Sequence, residues 1–193
     1  MGRAPRVPRT TAGRATPIVG IDVETACPRH GAVCSIGVSL VLRGAVLRER
    51  HWYLDPGTEF DPRFISIHGI TPRDVRGAPR LRGAWTEIEA FIAAAVASTG
   101  EALLFADLAD APEPLFVAHN AQFDRLQIER AIGRPLPFRL ACTVAMSRRS
   151  YPKLARHNLA SVASHLRIAL THHDALSDAR ASALIAYHCL AGA

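Results

Sequence analysis

The sequence predicts an α/β fold: a mixed five-stranded β-sheet flanked by α-helices. Two observations carry that prediction. Three strand-like runs come first with little between them, and strand-like and helical segments then alternate before a helical C-terminal third. A meander followed by strand-helix alternation pairs antiparallel on one side of a sheet and parallel on the other. At 193 residues the chain fits one domain and leaves little room for a second core.

Residues 17–24, Pro-Ile-Val-Gly-Ile-Asp-Val-Glu, form a β-branched run that reads as a buried strand ending in two carboxylates. Residues 33–42 and 45–54 are two further strands, joined at Arg43-Gly44, which is short enough for a hairpin turn. Asp55-Pro-Gly and Asp61-Pro break the pattern, and the segment carrying Ile67-His-Gly-Ile-Thr71 is predicted as a loop that Pro72 and Pro79 keep irregular. Trp85, Ile88, Phe91, Ile92 and Val96 recur at helical spacing and predict a helix over 84–97 with one face on the sheet. Residues 98–114 hold Glu101, Asp107, Asp110 and Glu113 with no Lys or Arg, and read as a partly helical insertion or a solvated acidic loop. A fourth strand at 115–118 leads into a helix over 121–132, stopped by Gly133 and Pro135, and 138–142 is the fifth strand. Helices from 143 to the Tyr151-Pro152 break, over 159–166 and over 174–190 complete the pattern.

Composition narrows the class. Hydrophobic residues make up 49% and charged residues 21%, which fits a folded globular chain rather than a disordered or fibrous one. No apolar run reaches the roughly 20 residues of a membrane span, and the start lacks the apolar segment of a secretory signal, so a cytoplasmic protein is expected. Arginine dominates the basic residues, with Lys153 the single lysine, and the net charge is +6. Arg3, Arg6, Arg9 and Arg14 place four of those charges in residues 1–16, a tail expected to be disordered, ahead of one folded domain over 17–193. Such a balance permits binding to phosphate backbones by counterion release, and equally follows from an arginine-rich genome. Cys27, Cys34, Cys142 and Cys189 are few and unevenly spaced, which argues for reduced thiols; Cys27, His30 and Cys34 lack the partners of a closed zinc site.

Three segments carry chemistry. Asp22 and Glu24, two apart on strand one, share a face at its C-terminal end, where open α/β sheets place ligands. Paired carboxylates repel and raise each other's pKa, whereas a divalent ion makes both anions favourable. Asp124 lies in the first turn after strand four, within Val117-Ala-His-Asn-Ala-Gln-Phe-Asp124; alone, that segment reads as an ordinary helix start, with Asn120 as cap and His119 a buried, hydrogen-bonded residue. His173 and Asp178 put an imidazole at the entrance of the last helix and a carboxylate roughly one turn later. Asp174 reads as a solvent-facing helix-start carboxylate and His172 as its exposed neighbour.

Together, DxE on strand one, HNxxFD after strand four and HxxxxD on the last helix stand in an order that resembles the DEDDh 3′-to-5′ exonucleases. That family contains the proofreading epsilon subunit of bacterial replicative DNA polymerase, ribonuclease T and oligoribonuclease. The resemblance runs over about residues 18–190. Cys34-Ser-Ile-Gly37, Phe64-Ile-Ser-Ile-His-Gly-Ile-Thr71, Cys142-Thr143 and His157-Asn-Leu159 reinforce it and look closest to the stand-alone epsilon-like branch. It implies a ribonuclease H-like fold and two divalent cations, Mg²⁺ with Mn²⁺ as substitute, held by Asp22, Glu24, Asp124 and Asp178, with His173 as general base. It implies further that Thr25 and Ala26 approach the terminal nucleotide through their backbone, that His68 and Ile70 flank its base and sugar, and that Asn120 and Phe123 shape the same pocket. Ala26-Cys27 after the DxET departs from many relatives and leaves substrate preference open. The implied activity is two-metal hydrolysis of phosphodiester bonds at the 3′ ends of single-stranded DNA, releasing nucleoside 5′-monophosphates. RNA trimming, or a non-catalytic nucleic-acid-binding module, stays open beside it, as do association with a DNA polymerase, homodimerisation and a role in DNA replication or repair.

Overall fold

The computed structural model describes residues 16–102 and 113–192. The tail expected over 1–16 lies outside them except for Thr16, and so does most of the acidic stretch expected over 98–114. Strands β1 (Ile18–Thr25), β2 (Val33–Leu42), β3 (Ala45–Tyr53), β4 (Leu115–Ala118) and β5 (Leu140–Cys142) form one sheet in the order β3-β2-β1-β4-β5. β1 pairs antiparallel with β2, and β2 with β3; β1 pairs parallel with β4, and β4 with β5. The mixed five-stranded sheet is therefore the one the sequence predicts. Arg43 and Gly44 turn the β2–β3 hairpin with φ of 52° and 82°, the left-handed pair that a two-residue hairpin turn requires.

The described helices are α1 (Pro62–His68), α2 (Leu81–Ala102), α3 (Ala121–Ile132), α4 (Thr143–Ser150), α5 (Leu159–Leu166) and α6 (Ala175–Ala191). α1 corrects the expectation of a loop: Asp61 accepts from Arg63 N at 2.9 Å as N-cap, Pro62 fills the first turn, and Gly69 closes the helix in the left-handed region. α2 runs 22 residues, past the predicted end at 97, while β5 is shorter than predicted, with Phe138 ahead of it stacked on Phe116, ring centroids 3.8 Å apart.

The alternation of β1 decides what each face does. Val19, Ile21 and Val23 enter the main core with Trp85, Ile88 and Ile92 of α2 and Ile128 and Ile132 of α3. Ile18 faces the other way, packing with Ala183 and Ala186 of α6, and Gly20, Asp22 and Glu24 share its side. A Cβ on Gly20 would collide with the Ala179 carbonyl, and one on Gly37, the residue paired with Asp22, with the Ala175 carbonyl. These two glycines let the α6 backbone lie directly on β1 and β2. Asp178, between the two contact points on α6, thus comes down onto the carboxylates of β1.

Candidate active site

Asp22, Glu24 and Asp178 each offer a carboxylate oxygen, and the three oxygens lie within 4.8 Å of one another. They line a cleft of about 250 Å³ together with Asp124, His172 and His173. Asp124 comes from the first turn of α3, where it is almost fully buried and its Oδ1 accepts from Val23 N at 3.2 Å. Strand β1, helix α3 and helix α6, distant in sequence, therefore bring the four predicted carboxylates and His173 to one cleft.

The α6 entrance is built by hydrogen bonds to Asp178. Its Oδ2 accepts from His173 N at 3.1 Å and from His172 Nδ1 at 3.0 Å, while Asp174 caps the helix by accepting from Ser177 N at 2.7 Å. His173 adopts φ 68°, a left-handed conformation uncommon outside glycine, with its N–H bonded to Asp178. Its ring stacks on that of His172, and its Nδ1 lies 4.0 Å from Glu24 Oε1. His172 is thus more than the exposed neighbour of Asp174: half-open to solvent, it binds a cleft carboxylate directly. Asp174 is the solvent-facing helix-start carboxylate the sequence predicts, and its side chain caps α6.

Burial and mutual repulsion dominate the electrostatics. Asp22 has its pKa raised well above the ordinary carboxylate range, first by burial and then by Asp124, Asp178 and Glu24. Burial and then Asp178 push Glu24 up to about 8. Asp124 is raised to about 7 by burial, opposed by the Val23 N–H. Asp178 is raised by burial as well, and its hydrogen bond from His172 works against the shift. The Asp178 Oδ1 atom is buried with no hydrogen-bond partner among the described residues. A buried, unpartnered carboxylate oxygen beside two further carboxylates is the donor set a hard divalent cation takes, so the residues present fit such an ion. His172, His173 and Asp178 form a second close group of metal-ligating atoms at the same entrance.

The residues expected around a nucleotide divide. Phe123 lines the cleft and is 41% exposed, available for a stacking contact. His68 donates through Nε2 to Thr25 O at 3.2 Å while its Nδ1 accepts from Ile70 N at 3.0 Å, so it ties the end of α1 to the end of β1. Thr25 is buried beneath that tie. Ala26 is fully buried and both its backbone groups are occupied, its N–H on Ala32 O and its carbonyl on Asp61 N. Ile70 is also buried, packed with Ala26, Cys34 and Val75 rather than lining the carboxylate cleft. Asn120 is exposed and occupies the N-cap position of α3 at φ 69°, its carbonyl accepting from Phe123 N at 2.9 Å while its side chain makes no capping bond.

His119, Asn158 and Leu159 also reach the cleft. His119 Nε2 donates to His157 O at 3.0 Å and its Nδ1 accepts from the Thr143 hydroxyl at 2.9 Å, with burial lowering its pKa to about 4. It pins the segment that delivers Asn158, the cap of α5, to the cleft rim. The sequence signals were the His157-Asn-Leu159 run and His119 itself, but their contact spans two separate chain segments.

A family model described as Exonuclease, of the RNase T type, matches residues 19–186. Among curated relatives, the PolC-type DNA polymerase III of Streptococcus suis is 28% identical over 162 residues, 80% of this chain and 10% of the relative. That of Clostridium perfringens is 28% identical over 173 residues, 86% of this chain and 11% of the relative. The chain therefore spans about a tenth of the length of these relatives. Among solved structures, exonuclease X in complex with 5′-overhanging duplex DNA superposes with a TM-score of 0.67 at 20% identity, covering 89% of this chain and 90% of that one. E. coli exonuclease I in complex with a dT13 oligonucleotide gives a TM-score of 0.61 at 16% identity, covering 89% of this chain and 40% of that one. These similarities establish a shared fold, the ribonuclease H-like sheet and helices, and with the matching model they make the chain a member of the RNase T-type exonuclease family.

Proposed function

We propose that the chain is a divalent-metal-dependent 3′-to-5′ exonuclease that hydrolyses the terminal phosphodiester bond of single-stranded DNA and releases nucleoside 5′-monophosphates. The observation that carries this reading is the meeting of Asp22, Glu24 and Asp178 oxygens within 4.8 Å, with Asp124 and His173 on the same cleft. Asp22, Glu24, Asp124 and Asp178 would hold two divalent cations, Mg²⁺ first and Mn²⁺ as substitute. Bound there, such ions supply an activated water and charge stabilisation for in-line displacement at phosphorus.

The remaining steps fall to the chain itself. His173 stands at the cleft mouth with its pKa lowered by burial and then by His172, so it is neutral near pH 7 and able to accept the proton of the attacking water. Phe123 offers an exposed ring for the terminal base, and the His68 to Thr25 tie holds the end of β1 rigid beneath it. DNA is preferred over RNA as substrate because the sequence relatives are DNA polymerases and the fold neighbours are DNA-bound exonucleases. Partnership with a polymerase belongs to the same reading; the chain has its own complete carboxylate set and needs no partner residue for chemistry.

The test is a product ladder from 5′-labelled single-stranded DNA and matched RNA, with Mg²⁺, with Mn²⁺ and with EDTA. Stepwise shortening from the 3′ end, dependent on metal and lost in Asp22→Asn, is the expected result. Endonucleolytic products, shortening from the 5′ end, or undiminished turnover in EDTA would overturn the proposal, and faster digestion of RNA would move the substrate assignment.

A further inference from the structure

A second cavity, of about 170 Å³, is walled by cations from three separate segments: Arg29 on the β1–β2 connection, Arg80 ahead of α2, and Arg130 in the last turn of α3, with the His30 ring beside them. Asp55 is the acid among its lining residues, and it pairs with Arg80 at 3.5 Å. Arg29 and Arg130 have no ion-pair partner among the described residues. Arg29 and Arg80 bring their guanidinium groups to Gly57 on the cavity wall, and such groups set against one carboxylate attract an oxyanion, the planar donor fork of arginine matching phosphate.

The wall is held in place by hydrogen bonds. Arg29 donates to Gly57 O at 3.1 Å, and Gly57 N donates to Asp55 Oδ1 at 2.8 Å. Gln127, buried on α3, accepts from Gly31 N at 2.7 Å and meets the His30 ring at 3.2 Å. Gly31, at φ 86°, lies so close to the α3 backbone that a Cβ would stand 3.1 Å from Ala131 N. Helix α3 thus presents Asp124 to the carboxylate cleft, grips the loop with Gln127 one turn on, and lines the cavity with Arg130 another turn on. At 1.5 Å per residue, Asp124 and Arg130 are about 9 Å apart along the axis.

We propose that this cavity is a phosphate subsite for the strand being digested, engaging a phosphodiester away from the scissile bond. The inference rests on the exonuclease reading above and extends it to residues outside the carboxylate cleft. Internal phosphodiester and free orthophosphate share the chemistry such a cavity takes, and the experiment separates them.

Wild type, Arg29→Ala, Arg130→Ala and the double variant are compared on two substrates with Mg²⁺: a single strand of about a dozen nucleotides, and the p-nitrophenyl ester of thymidine 5′-monophosphate, which is too short to reach the cavity. Arg48→Ala, which removes an exposed arginine of β3 outside the cavity, controls for net charge. Each single variant is expected to raise KM for the long strand about five- to tenfold and to lower the log–log salt slope by about one, with the short ester turned over as in wild type and Arg48→Ala changing neither. Equal losses on both substrates, or no change on either, would overturn the subsite. So would inhibition by millimolar inorganic phosphate that disappears in Arg29→Ala while its KM for the long strand stays at the wild-type value, since that assigns the cavity to the free anion. Absence of metal-dependent digestion by wild type is a different result and would count against the exonuclease reading itself.

Discussion

The imidazole of His172 stacks on that of His173, ring centroids 3.9 Å apart and planes within 15°, while its Nδ1 donates to Asp178 at 3.0 Å. One side chain therefore orients both the base and a metal-ligating carboxylate of the proposed reaction. Outer-sphere partners of this kind typically contribute 10- to 100-fold in metal affinity or activity. His172→Ala is expected to lower kcat about tenfold and to raise the Mg²⁺ concentration needed for half-maximal rate, with His172→Phe, which keeps the stack, restoring kcat better than metal affinity. Steady-state kinetics across a Mg²⁺ titration provide the check, and wild-type parameters in His172→Ala would remove the positioning role.

The same cleft should trade stability for chemistry. Asp22 is partly buried beside Glu24, Asp124 and Asp178, and that desolvation together with the neighbouring charges penalises its carboxylate. In EDTA at pH 8, Asp22→Asn is expected to melt about 2–6 °C above wild type, on the scale of about 2–4 °C per kcal/mol for a domain of this size, while losing nearly all exonuclease activity. Mg²⁺ should raise the melting temperature of wild type more than that of the variant, because ion binding to the native state is what it stabilises. Thermal scans with and without Mg²⁺ decide the matter; a variant less stable than wild type in EDTA would contradict the electrostatic account.

Much of this site was legible in the sequence because its key spacings are local. Asp22 and Glu24 alternate on a strand of period two, and His173 and Asp178 flank a helix entrance, so both pairs can be placed on elements without knowing the fold. α1 was also written locally, in Asp61-Pro62 and Gly69, but seven residues between two breakers carry too little periodicity to compete with the proline signals. What stayed hidden is non-local. The bond of His119 to His157 O joins residues 38 apart, the grip of Gln127 on Gly31 joins residues 96 apart, and the His172 contact depends on a left-handed turn at His173 that no residue preference announces. The burial of Ala26 and Ile70 comes from packing against Cys34 and Val75 on other elements, which side-chain type alone does not reveal.

Gly37 illustrates the same limit and yields a sharp prediction. In the sequence it is a small residue inside a strand; in the structure it is the residue opposite Asp22, and a Cβ there would collide with the Ala175 carbonyl of α6. Because the obstructing atoms are backbone, relief requires α6 to lift from the sheet, which carries Asp178 away from Asp22 and Glu24. Gly37→Ala is expected to destabilise the protein by about 1–3 kcal/mol, as overpacking does, and to reduce metal-dependent activity by far more than the fraction unfolded explains. Chemical denaturation paired with activity measured where the variant is still folded tests this. Full activity per folded molecule would show that the helix can shift without disturbing the carboxylates.

His119 supplies the pH dependence. Its folded pKa is lowered to about 4 from 6.5 by burial, so the native state resists a proton that the unfolded chain accepts. The stabilising contribution is therefore fully present above about pH 6.5 and is lost as pH falls towards 4, amounting to about 2 kcal/mol by pH 5. Protonation would convert Nδ1 from acceptor to donor, and the Thr143 hydroxyl, which also reaches Ala118 O at 3.3 Å, can then accept from it, so the contact reverses direction rather than breaking. Unfolding free energies of wild type and His119→Gln, measured by urea denaturation at pH 7 and pH 5, isolate this contribution from the opposing effect of the carboxylates, which both proteins share. Wild type should lose about 2 kcal/mol more than His119→Gln over that interval, and parallel pH profiles would mean that His119 is protonated in the folded protein at pH 5 at no penalty.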